Sequence, residues 1–539
     1  MIDEKTLGAD GHGLVSVTID GLEVKAPQGS NIIEAAKLLG IEIPHYCYHP
    51  CLSVVGNCRM CQVEVEGAPK LMIACHTRVQ PGMKIKTHRT SEAVREAQAA
   101  VLEFILINHP LDCTVCDQSG HCKLQDYYFA FSRHPSRFSE EKEHKVKAEP
   151  LGPTVIYDGE RCILCTRCVR FCDEITKSFE LGVLRRGDRC VIGVNPGKQL
   201  DNPLSGCVVD LCPVGALTHR RWRFNTRIWF TAQSDTICPA CSTGCNCRVA
   251  VRDGQVVMVK GRYHPQVNKE WMCDEGRYGF DRFLPKQRIT APRLYGKEDE
   301  WDRALGAWDA AKGKVTLVLL SPVLLLEEYV LIKRYLDRFI RTAHVALAYR
   351  ERALSEVESI LVSPDRSANF RGAEYAGLLA ENPAKHYLEC LSKLKKGVYQ
   401  AVFVIGEGAL FPEDLGEDLL TALGRVEVSA GVICDAESPL SSVLQIVYPG
   451  RSVLEKSGLM INRTWRLQYL EQVVDYPVGS EPEWRIVSRL AERGGMAGVQ
   501  SASYRDFTNA FLAADPRLSG LTIKAIKFGG VEVRGAWKF

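Results

Sequence analysis

Residues 13–25, GLVSVTIDGLEVK, alternate apolar and polar positions on either side of Asp20-Gly21, which predicts two half-buried strands joined by a tight turn. The next segment, NIIEAAKLLG, predicts a short helix with Asn31 as its cap, Glu34 three residues on and Gly40 at its end. Residues 91–108 place Val94, Ala97, Val101, Phe104 and Ile105 on one helical face, and Pro110 stops that helix just after His109. A further alternation, CRVAVRDGQVVMVKG, is centred on Asp253-Gly254 and predicts a second hairpin.

Beyond residue 294 the pattern changes. VTLVLL (315–320), AHVALA (343–348), AVFVIG (401–406) and VEVSAGVIC (426–434) are continuous apolar runs, as strands buried on both faces require. Residues 327–339 and 412–424 have helical spacing between them, so this half is expected to be an α/β layer with mostly parallel strands. Gly406 and Gly408 in IGEGAL lack the third glycine and the downstream acid of a nucleotide loop, and predict a plain turn.

Composition narrows the functions. The chain has 539 residues, 46% of them apolar and 25% charged, with a net charge of only +3. Such balance gives no footing for nucleic acid or acidic surfaces. RRWRFNTRIWF (220–230) interleaves arginine with aromatics, yet such a stretch in a near-neutral chain reads as a partner-facing or solvent-facing strand. The start, MIDEKTLGADGHG, has no basic stretch followed by an apolar core, and the longest apolar runs are too short to span a bilayer; a cytoplasmic protein is expected. In a reducing compartment, cysteines at short fixed intervals point to metal rather than to disulfides.

Twenty of the 22 cysteines precede residue 276; only Cys390 and Cys434 follow. Four ligand sets emerge. The first is Cys47, Cys58, Cys61 and Cys75, spaced x10, x2 and x13 after a hairpin and a helix, in the manner of a [2Fe-2S] ferredoxin. Cys51 is an alternative first ligand, and a zinc site on Cys58-x2-Cys61 is the bland reading. The second is His109-x3-Cys113-x2-Cys116-x5-Cys122, where three cysteines at ligand spacing outweigh the reading of His109 as a helix cap. The third, RCILCTRCVRFC, supplies Cys162, Cys165 and Cys168, with Cys212-Pro213 as remote partner for one [4Fe-4S] cluster. A further cluster on Cys172, Cys190 and Cys207 is the alternative; otherwise those three pack as small hydrophobes. The fourth is Cys238-x2-Cys241-x3-Cys245-x27-Cys273, with Cys247 expected to pack on a strand. Fifteen cysteines and one histidine thus fill one [2Fe-2S] and three [4Fe-4S] sites.

HYCYHP, GNCRMCQVEV, ACHT, NHPLDC, RCILCTRCVRFC, DLCPVGALT and the CP.CS.GCN pattern together resemble the large iron–sulfur subunit, the G subunit, of bacterial NADH:quinone oxidoreductase, respiratory complex I; the likeness runs from about residue 13 to 290. It implies the same four ligand sets, the last kept by only some relatives and off the main electron path. Cys51 and Cys207 depart from the family pattern. EKSGLMINRTWRLQ (455–468) resembles a piece of the molybdopterin oxidoreductase fold, but too little chain remains for a full pterin cradle, so no molybdopterin is expected.

The expected fold class is therefore an α+β first half, a β-grasp [2Fe-2S] ferredoxin domain followed by [4Fe-4S] domains, and an α/β second half resembling a reduced molybdopterin-oxidoreductase scaffold without metal. The expected boundaries are 1–90, 91–135, 136–230, 231–293, 294–480 and a helical tail 481–539, with the charged stretch 136–153 as the clearest linker. No catalytic nucleophile or flavin signature stands out. The resemblance implies an electron-carrying subunit of an NADH dehydrogenase. Electrons would enter from a flavin subunit that oxidises NADH and leave, with a small [2Fe-2S] subunit and downstream [4Fe-4S] subunits as partners, toward quinone. The membrane would be reached only through partners, on its cytoplasmic face. The rivals are a relay subunit of a cytoplasmic NAD-linked hydrogenase or formate dehydrogenase, and a zinc-stapled scaffold. In place of a thiolate, the neutral imidazole of His109 leaves its cluster one charge less negative and easier to reduce.

Overall fold

The computed structural model describes residues 13–132, 135–499 and 501–533, which divide into two units at Phe230/Thr231. The segment read for an export signal lies, apart from Gly13, outside the described residues.

The first unit begins with a five-stranded mixed sheet. Strands β1 (Leu14–Ile19) and β2 (Leu22–Pro27) form the expected hairpin. Asp20 and Gly21 both take positive φ, 51° and 82°, as a two-residue turn matching strand twist requires. The sheet order is β2-β1-β5-β3-β4, with β3 at Gln62–Val65, β4 at Met72–Ile73 and β5 at Lys84–Lys86. Helix α1 (Ile32–Leu38) packs Ile32, Ile33, Ala35 and Ala36 into the core of this sheet; the Asn31 side chain accepts from Glu34 N–H at 3.0 Å.

Helix α2 (Glu92–Leu106) starts at a Ser91 cap, but its buried face is Val94, Gln98 and Leu102. Phe104, expected inside, is 75% exposed. The stripe is rotated because the Gln98 amide donates to Gln62 O at 3.1 Å, so a polar side chain takes a core position against β3. Then follow α3 (Lys123–Phe131), the strands β6 (Glu149–Pro150) and β7 (Val155–Tyr157), and α4 (Arg167–Arg170), which runs into a wide turn through Ile175. A hairpin of β8 (Leu181–Leu184) and β9 (Val191–Val194), then α5 (Cys207–Leu211) and β10 (Leu217–His219), completes the unit; β10 pairs with β7. The stretch 136–148 has no regular structure but is tied down: Lys142 Nζ donates to Leu106 O and Lys145 Nζ to Cys190 O.

The second unit opens with an antiparallel sheet of β11 (Ala232–Ile237), β12 (Asn246–Arg252) and β13 (Gln255–Gly261), turning at Asp253-Gly254, followed by α6 (Asp274–Tyr278). Its larger sheet has the order β15-β14-β20-β19-β18-β16-β17. The five strands β16 (Thr316–Leu320), β17 (His344–Leu347), β18 (Ala401–Ile405), β19 (Val428–Ile433) and β20 (Ile446–Pro449) are parallel, while β14 (Arg293–Leu294) and β15 (Lys297–Glu298) form an antiparallel edge. Helices α7 (Leu326–Phe339), α8 (Pro383–Lys395) and α9 (Glu417–Arg425) belong to the connections. The strand order reverses between β16 and β18, the place where open α/β sheets hold ligands. Here the carboxyl ends of these strands are filled by the chain itself. Lys456 Nζ lies 3.5 Å from Glu328 Oε2 and bonds Glu483, all three fully buried. A Cβ at Gly406 would meet Ser321 and Leu324 side chains, so the IGEGAL glycines make a turn in a packed corner. Last come the hairpin β21 (Gly458–Ile461)/β22 (Arg466–Leu470), the helices α10 (Glu483–Arg493) and α11 (Tyr504–Ala514), and β23 (Val531–Glu532) beside β22. Among the described residues, no helix is long and apolar enough to cross a membrane.

Candidate metal centres

None of the 22 cysteines is in a disulfide. The first set sits on the loops around β3 and β4. Cys47, Cys61 and Cys75 are buried and Cys58 is partly covered. Cys47 N–H donates to Cys58 Sγ at 3.5 Å, and Cys61 and Cys75 share one apolar core. The neighbouring Cys47 pulls Cys58 down to about 5, and Cys61 likewise lowers Cys75, so Cys58 and Cys75 favour the thiolate form. Arg59, between Cys58 and Cys61, takes φ 58°, a left-handed conformation uncommon for a side chain of that size. Cys51 is half-buried, and its N–H donates to His49 Nδ1 at 3.3 Å.

In the third set, Cys162, Cys165, Cys168 and Cys212 line one cavity with Tyr157, Ile192 and Val214. Burial pushes Cys162, Cys165 and Cys212 up to about 11 and Cys168 higher still, so thiolates there require a positive counter-charge. Leu164 and Thr166 both have left-handed φ, 52° and 60°. Strain of this kind in non-glycine residues persists only where the surroundings enforce it. Here it wraps the chain so that three sulfurs point inward. Cys172 and Cys207 are fully buried nearby, with Cys172 Sγ 3.9 Å from Glu180 Oε2, and Cys190 Sγ faces Arg185 O at 3.7 Å.

The second set occupies a groove lined by His109, Cys113, Cys116 and Cys122 together with Arg161 and Gly215. Nδ1 of His109 is buried without a hydrogen-bond partner, an arrangement that needs a ligand or other acceptor to account for it. Burial, reinforced by Lys142 and Arg161, lowers His109 to about 4, so the ring is neutral at physiological pH, as a metal-binding imidazole must be. The 113–122 loop is clamped by the aromatic–arginine stretch. Arg227 Nη1 donates to Cys116 O at 2.6 Å and its other arm reaches Thr114 O; Phe224 N–H donates to Asp117; Trp229 lies over Gly120. A Cβ at Gly215 would fall 2.1 Å from Cys116 Sγ, so the DLCPVGAL backbone of the third set abuts the second.

The fourth set lies at the head of α6. Cys273 caps that helix, its Sγ accepting from Gly276 N–H at 3.3 Å. A Cβ at Gly276 would lie 3.1 Å from Cys238 Sγ and 3.2 Å from Cys273 Sγ, so glycine leaves room beside both sulfurs. Burial raises Cys238, Cys245 and Cys273 alike. The loop 242–244 is held by the β21/β22 hairpin, from the segment with the pterin-fold resemblance. Arg463 N–H donates to Ser242 O at 2.7 Å, Asn462 to Thr243 O and Gln468 to Gly244 O. Cys247 is buried on β12. Among the described residues, no three His, Cys, Asp or Glu side chains close on a point as a single ion requires.

Four family descriptions match in chain order. Residues 13–90 match a 2Fe-2S iron–sulfur cluster binding domain, and 98–137 the NADH-ubiquinone oxidoreductase-G iron–sulfur binding region. Residues 152–218 match the ferredoxin-like domain of NADH-quinone oxidoreductase subunit 3, and 231–284 the molybdopterin oxidoreductase Fe4S4 domain. The G subunit of NADH-quinone oxidoreductase from Streptomyces coelicolor is 41% identical over 298 residues, 55% of this chain and 35% of its own length. The first half of the chain is similar to part of that subunit. The mitochondrial NADH dehydrogenase [ubiquinone] iron–sulfur protein 1 of Solanum tuberosum is 40% identical over 58% of this chain and 41% of its own length. The chain therefore spans well under half of these relatives. A chain of the NAD+-reducing [NiFe]-hydrogenase, in its H2-reduced state, is 29% identical and aligns with 40% of this chain and 91% of its own, at a TM-score of 0.36. The chain carries 2Fe-2S and 4Fe-4S binding domains followed by a molybdopterin-type Fe4S4 domain, in a mixed α/β structure.

Residues missed by spacing alone are Arg161, Arg167, Arg170, Gly215 and Arg227, which join the sets to one another and to their supports. Their partners are distant in sequence, so no local pattern announces them.

Proposed function

We propose that this chain is the electron-relaying iron–sulfur subunit of an NADH:quinone oxidoreductase. Cys47, Cys58, Cys61 and Cys75 hold a [2Fe-2S] centre in a β-grasp domain. Three [4Fe-4S] centres are held by His109 with Cys113, Cys116 and Cys122; by Cys162, Cys165, Cys168 and Cys212; and by Cys238, Cys241, Cys245 and Cys273. When bound, such clusters take up and release single electrons. The partners are an NADH-oxidising flavin subunit, a small [2Fe-2S] subunit and downstream [4Fe-4S] subunits; together they form a complex on the cytoplasmic face of the membrane. The α/β half is a scaffold without molybdopterin, its switch-point crevice filled by Lys456, Glu328 and Glu483.

The observation that carries this reading is the mutual contact of the first three sets. Arg170 donates to Cys47 O at 2.6 Å and to Cys165 O at 3.3 Å, joining the first set to the third. Gly215 joins the third to the second. Buried Tyr46, its ring 5.4 Å from that of Tyr127, lies within the electrostatic reach of both Cys58 and Cys122. A chain built for relay needs such contiguity; a zinc-stapled scaffold has no use for it. The residues keep the sets dry, hold the His109 ring neutral and fix the loops that present the sulfurs.

The test is anaerobic purification of the complex, with iron analysis and EPR during stepwise reduction. About fourteen irons per chain and four distinct signals, reducible by NADH, are expected. A colourless, zinc-loaded chain overturns the reading.

A further inference from the structure

Arg167 and Arg170 flank Cys168 on α4, and both reach from the third set to the first. Arg170 is buried; it donates through Nη2 to Cys47 O at 2.6 Å and Cys165 O at 3.3 Å, through Nη1 to Ser53 O and through Nε to Thr166 Oγ1. Arg167 donates to Leu211 O at 3.3 Å and to Tyr48 O, and its Nε is buried without a partner. Every acceptor is a backbone carbonyl or a hydroxyl. Among the described residues, neither guanidinium has a carboxylate in ion-pair range.

That is a costly arrangement for two cations taken from water, because carbonyl dipoles satisfy hydrogen bonds without cancelling charge. Arg161 shows the ordinary solution a few residues away: its guanidinium lies 3.0 Å from Asp112 and 3.4 Å from Asp158. The charges within their electrostatic reach are instead those of sulfurs: Cys165, Cys212 and Cys47 act on Arg167, and Arg170 acts on Cys165.

We infer that Arg170, seconded by Arg167, is the shared counter-charge of the first and third iron–sulfur centres, a positioning and tuning residue that raises both reduction potentials and ties their loops together. The inference rests on the proposed cluster assignment. A fixed positive charge between two anionic centres stabilises whichever of them holds the added electron, and the low dielectric of a buried site preserves the effect. The same side chain brackets Cys47 and Cys165 through their carbonyls, so charge and spacing are set by one residue.

The test compares the holoprotein with Arg170→Gln and Arg170→Lys, purified anaerobically, by iron content and EPR-monitored redox titration. In Arg170→Gln, with iron retained, the first and third centres should lose at least tenfold in electron affinity, about 59 mV for a one-electron couple. The unsubstituted protein, titrated under the same conditions, is the reference. Arg170→Lys should restore most of the loss. Unchanged potentials at full iron content overturn the inference, as does a lysine variant with full iron but potentials as low as the glutamine one. Should Arg170→Gln fail to retain iron, retention with near-native potentials in Arg170→Lys supports the charge role, and loss of iron in both variants overturns it. Failure of the cluster reading itself would show separately, as absence of iron–sulfur signals from the unsubstituted protein.

Discussion

Gly215 presses its backbone against the sulfur of Cys116: a methyl group at position 215 would sit 2.1 Å from Sγ, far inside van der Waals contact. Gly215→Ala should therefore displace the 113–122 loop without altering any ligand. The expected outcome is loss of about four irons and of the signal from the histidine-containing centre. Iron analysis with EPR checks it; a variant with native iron and native spectrum would show that the loop gives way freely.

On the proposed assignment the four sets make different demands on iron. Substituting Cys58 by alanine should remove about two irons, and substituting Cys165 or Cys245 about four each. Cys172, Cys207 and Cys247 are buried thiols outside the proposed sets, so their replacement by alanine should leave iron unchanged and cost only packing, about 1 kcal/mol. Loss of a cluster from Cys172→Ala would revive the alternative centre on that side of the third set.

Both the hairpins and the parallel strands are legible in the sequence, for separate reasons. Asp20-Gly21 and Asp253-Gly254 sit at turns whose backbone demands positive φ, a local requirement that a dipeptide announces. The strands of the large sheet are buried on both faces, and continuous apolar runs say so. By contrast, periodicity misplaces the buried face of α2 because Gln98 satisfies its amide on Gln62 O, a tertiary contact that no spacing encodes. The helix Pro383–Lys395 carries its own start signal, an Asn382 side chain accepting from Lys385 N–H with proline at the first turn, yet its polar surroundings hide it from an apolar-run reading. Cysteine spacing draws attention to the ligand candidates because chelating loops are short. The bridge from Arg170 to Cys47 O joins residues 123 positions apart, beyond the reach of any motif.

Glu327 offers a pH test in the second unit. It is fully buried, accepts from Leu459 N–H and Thr508 Oγ1, and burial raises it from 4.5 to about 7. The native state therefore binds a proton more tightly than the unfolded chain. That contribution is fully present below pH about 4.5 and is lost as pH rises through about 7, a span on the order of 3 kcal/mol. Glu327→Gln should flatten the dependence over this window. Urea unfolding of both proteins at pH 5 and pH 8 measures the difference; equal slopes would exclude Glu327 as the titrating group.

Lys456 is the cation between two buried acids, Glu328 and Glu483. Lys456→Met strands those carboxylates and should cost about 3–5 kcal/mol. Burial already holds Glu328 up at about 8, and Lys456 is what restrains it from rising further. The loss should accordingly be greater at pH 8 than at pH 5, where Glu328 is protonated. Denaturant midpoints at the two pH values decide it.

The clamp on the 113–122 loop bears on how the protein is made. His109 and its three cysteines leave the ribosome early, but Gly215, Arg227 and Trp229, which seat the loop, emerge about a hundred residues later. Cys212 likewise follows Cys162, by 50 residues. The 113–122 loop therefore gains its clamp only once the chain as far as Trp229 has emerged, and until then the thiols of the second set stand without the contacts that seat them.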